Sequence, residues 1–291
     1  SKKLLKQAED KPKKILKKIE TLEEKLEESG KDVISINDSD ACFMKNKKGK
    51  WEFDYNGQIA VDDYKGIILA SYITNNPTDY YELIPLMEQV QSNLSEIYDE
   101  TPVNYQVSAD NGYSTDMNTE YLEQNGFDGY ISSRKLSREQ KKYNLSDKPF
   151  AKDNFFYDNE MMTYIRPLGQ PLYKISEYTY KNKSRISHWT KECKTCPMQL
   201  FCSKGNRCRV IQDYGIPSKI RMQWKMETPE AKERYKIRSK TVERPFAHLK
   251  QNMHLTEFRT TGLQEVNTEL KLYTIGHNLK RIYNEISRKN N

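Results

Sequence analysis

The sequence predicts an α/β chain, and three observations carry that expectation. The runs "YNGQIAVDD" and "GIILASYIT" are extended, and Asp62, Asp63, Lys65 and Gly66 between them are turn formers, which together read as an antiparallel hairpin. "TDYYELIPLMEQVQSNL" then places Leu83, Leu86, Met87, Val90 and Leu94 on one side, behind an Asp or Thr cap, at the spacing of an amphipathic helix. A strand from Tyr105 to Ala109, a helix from near Thr115 to Gly126 and a second strand in "FDGYISSR" complete the order β-β-α-β-α-β. That order predicts a mixed sheet flanked by helices.

The flanking segments differ in composition. Between Lys2 and Ser29, Leu4, Leu5, Ile15, Leu16, Ile19, Leu22 and Leu26 recur among dense Lys and Glu, predicting a charged amphipathic helix with a break near Pro12. Its charges suit a solvated face, or one lying against DNA or a partner helix. From about Lys135 to Tyr214 the chain is polar, aromatic and rich in turns, with strand-like pieces "MMTYIRP" and "LYKISEYTYK". This segment reads as a β-rich insert. Helical patterns resume at Pro217, run through Glu243, and return in "LQEVNTELKLYTIGHNLKRIYNEI". The expected organisation is a charged helix over 1–30, the first part of a catalytic core over 31–134, a Cys-rich insert over 135–215 and a helical second part over 216–291.

Composition narrows the function class. The 291 residues can bury a sizeable core, and a formal net charge of +7 suits a polyanionic partner. No stretch approaches the roughly 18 consecutive apolar residues of a membrane span. A soluble, cytoplasmic protein is the expectation. Four of the 5 cysteines form the set Cys193-x2-Cys196-x5-Cys202-x5-Cys208, a pattern better suited to metal than to a disulfide ladder.

Two acids stand out. Asp110 ends a predicted strand and precedes Asn111 and Gly112, a place where ligand and catalytic groups collect in open α/β sheets, and where an Asp also serves as a cap. Glu243 lies in "IRSKTVERPFAHLKQNMH", seven residues before Lys250, so that on a regular helix both project from one side. Carboxylates on separate elements that converge on hard divalent ions are what metal-dependent phosphoryl transfer needs, with a cation such as Lys250 or Arg238 meeting phosphate.

With these residues in place, the sequence resembles the DDE transposases of bacterial insertion sequences, specifically the eleven-eighty-two group. The resemblance runs through "NDSDACFMKNKKG", "YNGQIAVD", "SADNGYSTDMN", "CKTCPMQLFC", "YKIRSKTVERPFAHLK" and "GHNLKRI". It implies a ribonuclease-H-like mixed sheet with a β-rich Cys-containing insert, and a magnesium- or manganese-dependent enzyme that cleaves transposon ends and transfers the freed strand. Asp110 matches the second catalytic acid and Glu243 the third, and both would hold Mg2+. Lys250, Arg238, Arg244 and Tyr235 would meet DNA phosphate, although one residue more separates Arg238 from Glu243 than in the commonest version of the signature. The first acid, in an Asp-Gly-Thr context, is missing from the sequence, which leads to the expectation of a chain lacking its N-terminal part; Asp40 and Asp38 are the weak substitutes. Double-stranded DNA and a homodimeric synaptic complex are the implied partners. A catalytically inactive fragment that binds DNA or a partner is the alternative.

The cysteine set is a candidate site for structural zinc, with His188 able to replace one thiol. Where related proteins often carry a further Cys-Pro, this chain has Arg166-Pro167. His248 and His277 are expected to be structural.

Overall fold

The structure is a computed structural model that describes residues 2–30, 32–46, 49–98, 105–132, 150–158, 160–180, 183–203 and 208–289. The expected start of the insert, near Lys135, lies outside them. The chain divides into two compact units, one made of Ser1–Thr78 with Arg244–Asn291, the other of Asp79–Glu243.

In the first unit, helix α1 (Lys2–Ser29) runs without interruption through Pro12, so the expected break is absent. Proline removes one backbone donor, and here the surrounding turns carry the helix past it. A hairpin that the sequence reading did not separate, β1 (Cys42–Lys45) with β2 (Trp51–Asp54), turns where Asn46 accepts the amide of Gly49, whose φ of 84° suits glycine. The expected hairpin is present as β3 (Asn56–Val61) and β4 (Ile68–Thr74), antiparallel. A long C-terminal helix, Leu263–Lys289, packs on β4 around a core of Ile68, Ile73, Leu249, Leu255, Val266 and Leu270.

The "GHNLKRI" motif fastens that helix to the hairpin. The Asn278 side chain both accepts from the Ile68 amide and donates to the Ile68 carbonyl, at 2.9 Å each. Arg281 Nε donates to the Lys65 carbonyl at 2.7 Å. His277 Nε2 lies 2.9 Å from the Gly66 carbonyl and so carries the proton, leaving Nδ1 to accept from His248 Nδ1 at 3.0 Å. Both histidines are thus placed as the structural residues expected of them. Backbone groups on the edge of β4 that would otherwise meet solvent are satisfied by side chains instead.

In the second unit, α2 (Leu83–Ser95) buries Leu83, Leu86, Met87 and Val90, the face read from the sequence, but begins four residues after Asp79. Strands β5 (Gln106–Ala109) and β6 (Asp128–Ile131) pair in parallel, joined through α3 (Asp116–Gln124), whose cap is Thr115, accepting from Asn118 N at 3.2 Å. The hairpin β3–β4 and the pair β5–β6 are separate two-stranded sheets among the described residues. The molecule is therefore α/β, with the expected order of elements.

Residues Phe156–Gly215 form a five-stranded antiparallel meander: β7 (Phe156–Asp158), β8 (Thr163–Ile165), β9 (Pro171–Tyr180), β10 (Lys183–Trp189) and, after the short helix α4 (Gln199–Cys202), β11 (Ile211–Gly215). One face buries Phe155, Tyr157, Tyr164, Leu172 and Ile211. Asp213 is buried there and accepts from Tyr164 at 2.8 Å, Trp224 Nε1 at 3.0 Å and Lys152 Nζ at 2.5 Å. The meander leads into α5 (Pro217–Lys225) and α6 (Pro229–Ala247); a π-helical turn, His248–Asn252, precedes the C-terminal helix, here α7.

Candidate functional site

Asp110 follows β5 directly and serves first as a cap. Its Oδ1 accepts the Gly112 amide at 2.8 Å and closes a 3₁₀ turn, Asn111–Tyr113. Gly112 leaves room for two acids: a Cβ there would stand 3.0 Å from Asp110 Oδ1 and 3.0 Å from Asp79 Oδ2, so both carboxylates would have to give way. The two carboxylate oxygens therefore flank one backbone position, no farther apart than twice that distance.

Tyr113 senses this gathering of charge. Burial first, then the negative charges of Asp79, Asp110 and Glu82, hold its phenolic proton well above the usual range, while Arg238 pulls the other way. Asp79 and Glu82 were not singled out in the sequence, where they sit about thirty residues upstream in what reads as a turn and a helix start. Only the packing of α2 beside β5 brings them to Asp110. Next to this constellation lies an open groove of about 660 Å³ lined by Tyr80, Asn111, Gly112, Thr115 and Lys219 among others.

Glu243 is exposed on α6, and its Oε1 accepts from Ser239 Oγ at 2.9 Å, one turn earlier. Arg238, on the same helix, places its guanidinium 5.3 Å from the ring of Tyr235. Tyr235 itself is 4% exposed and packs with Met226 and Ala231, beneath the Arg238 guanidinium. Arg244 and Lys250 are both exposed and belong to the other unit. Lys250 lies in the π-helical turn that follows Pro245, so the two-turn arithmetic of a regular helix does not apply to it.

Asp38 and Asp40 are engaged elsewhere. Both Asp38 oxygens accept from the Tyr55 hydroxyl, at 2.8 and 2.9 Å, and Oδ2 also accepts from the Gly262 amide at 3.2 Å. Asp40 Oδ2 accepts from the Leu263 amide at 3.0 Å, at the start of α7. These acids fasten the loop before β1 to a helix N-terminus.

The four clustered cysteines are all reduced. Burial pushes the Cys202 thiol up, as do the neighbouring Cys193 and Cys196, against a smaller pull from Arg209 and Arg166; burial and a hydrogen bond with Cys193 push up the Cys208 thiol as well. His188 is fully buried in the meander core, with Nδ1 3.9 Å from Asp213 and neither ring nitrogen hydrogen-bonded. Among the described residues, no three or more His, Cys, Asp or Glu side chains form a set that could hold a metal ion.

The donor chemistry at Asp110 suits magnesium in part: carboxylate oxygens from two elements meet at Gly112, and magnesium is commonly held by one or two carboxylates plus substrate phosphates. No helix among the described residues is long and apolar enough to cross a membrane.

A family model described as a transposase DDE domain matches residues 167–283, a segment that contains Glu243, Lys250 and all four clustered cysteines but stops short of Asp110. No curated protein and no solved structure matches the chain.

Proposed function

We propose that this chain is the catalytic core of a DDE transposase that cuts DNA at the ends of an insertion sequence and joins the freed strand to a target. The observation that carries the reading is the family match across the helix that bears Glu243. Asp110 and Glu243 would hold the divalent ion, with a ribonuclease-H-like arrangement of the strands around them. Magnesium or manganese, when bound, supplies the Lewis acid that activates the attacking oxygen and stabilises the leaving 3′ oxygen. Arg238 neutralises phosphate charge beside Tyr113, and Arg244 and Lys250 add cations for the DNA backbone. Asp79, facing the same glycine as Asp110, raises the negative charge available to a cation there.

The test is cleavage of supercoiled plasmid carrying the DNA that flanks this coding sequence, with magnesium or manganese present. Cutting by the wild type that is lost in Asp110→Asn and Glu243→Gln supports the reading. A second reading is a non-catalytic module that binds DNA or a partner; metal-independent DNA binding without any cutting would establish it.

Cys193, Cys196, Cys202 and Cys208 have the donor chemistry of a structural zinc site, but as placed no three of them form a set that could hold the ion, so a zinc site here would require the cysteines to draw together. Elemental analysis of protein purified without chelator is expected to give one zinc per chain, and a metal-free result would dismiss the site.

A further inference from the structure

The solvent face of the meander combines exposed rings with cations. Residues directly opposite in antiparallel strands share a face, and the register sets Arg185 between Tyr178 on β9 and Tyr214 on β11. Two residues along, Lys183 stands opposite Tyr180. Nearer the base of the ribbon, beyond a bulge at Ser187/His188, Tyr173 stands opposite Trp189. Tyr173, Tyr178, Tyr180 and Tyr214 are 56%, 65%, 60% and 64% exposed, whereas Ile186, His188 and Asp213 on the reverse face are buried. Side-chain contacts agree with the register: Lys183 Nζ is 5.9 Å from the Tyr214 ring, and Arg185 donates to Gln212 at 2.9 Å. The nearby acid, Glu177, aligns with Ile186 on the reverse side and pairs with Lys174 at 2.6 Å.

Rings in such a row offer π faces, and the cations between them offer partners for phosphate. A duplex keeps its base faces stacked inside, and two cations give it little purchase. An unpaired strand presents bases and phosphates together, and each ring can take a base of any sequence. We propose that this face, centred on Tyr178, Arg185 and Tyr214, binds single-stranded DNA and would hold the strand freed or unpaired during cleavage. The inference rests on the transposase reading for its biological setting, but the binding itself is separable from catalysis.

Fluorescence anisotropy of a labelled 12-nucleotide single strand, compared with the duplex of the same sequence, tests it on the full chain. The single strand is expected to bind more tightly than the duplex. Tyr178→Ala and Tyr214→Ala are each expected to weaken single-strand binding about 5- to 150-fold, the scale of one lost base stack, while Tyr→Phe at either site keeps it. The pair Lys183→Gln with Arg185→Gln is expected to flatten the salt dependence by a slope of about 1.4 in log–log form. Unchanged circular dichroism separates these effects from misfolding. Equal binding by the alanine variants, or a preference for duplex, overturns the platform, as does a change in oligomeric state in the alanine variants without loss of DNA. Normal plasmid cutting alongside an absent platform leaves the transposase reading standing, and single-strand binding without cutting leaves the platform standing.

Discussion

Two pairs of aspartates occupy this molecule in opposite ways. Asp38 and Asp40 lie two residues apart in sequence and are consumed by donors: the Tyr55 hydroxyl and the amides of Gly262 and Leu263. Asp79 and Asp110 come from distant segments and meet across a glycine, beside a tyrosine whose proton their charges help to retain. The first arrangement spends its charge on holding a helix. The second concentrates negative charge beside an open groove. What sets the second pair apart is that the fold brings it together from distant segments beside a groove, and adjacency in sequence is a poor guide.

That contrast can be broken by substitution. The largest expected effect is on cleavage: Asp110→Asn and Glu243→Gln should each reduce the rate by about 10³-fold or more, the scale of losing a metal-held transition state, while Asp38→Asn leaves it within a few-fold. Next comes stability. Asp38→Ala strands the Tyr55 hydroxyl and the Gly262 amide, and a loss of about 2 to 3 kcal/mol is expected in urea unfolding. Asp40→Ala removes a single helix-terminal acceptor and should cost about 1 kcal/mol, a similar loss to that expected from removing the Asp110 cap. Equal losses of cutting at Asp38 and Asp110 would erase the distinction.

A pH measurement sharpens it further. Burial holds His188, and to a smaller extent of enclosure His248, below the ordinary histidine range, with the cationic neighbours Arg281 and Lys280 adding to the effect at His248. The unfolded chain then binds more protons at acid pH than the folded one. Stability should be fully present above the unfolded value of 6.5 and should fall as pH drops below it. His188→Phe should weaken that dependence and, since neither nitrogen of His188 is hydrogen-bonded, cost little at neutral pH. At the other extreme, burial raises Tyr157 to about 12, so its contribution is retained below pH 10 and lost as pH climbs through that raised value. A midpoint that rises on acidification would contradict the His188 argument.

Much of the fold was legible because it rests on local pattern. The β3–β4 hairpin declared itself through alternation and a Gly66 turn, and α3 through a start near Thr115, which is its cap. Pro12 misled because a helix with enough intact turns absorbs one lost donor, and the regular-helix spacing from Glu243 to Lys250 failed because the helix runs past Pro245 into a π-helical turn that shifts the phase at Lys250. The site was half legible. Asp110 announced itself at a strand end, but Asp79 and Glu82 carry no local mark, since their meaning depends on how α2 packs against β5. Tyr235 looked like a DNA contact in sequence and is buried, a distinction that helical periodicity alone leaves open.

The most direct test of the central claim is manganese binding followed by electron paramagnetic resonance on the wild type and on Asp110→Asn, Glu243→Gln and Asp38→Asn. The account expects saturable binding by the wild type and by Asp38→Asn, and strongly weakened binding by Asp110→Asn and Glu243→Gln. Wild-type affinity in Asp110→Asn, or a loss confined to Asp38→Asn, would contradict it.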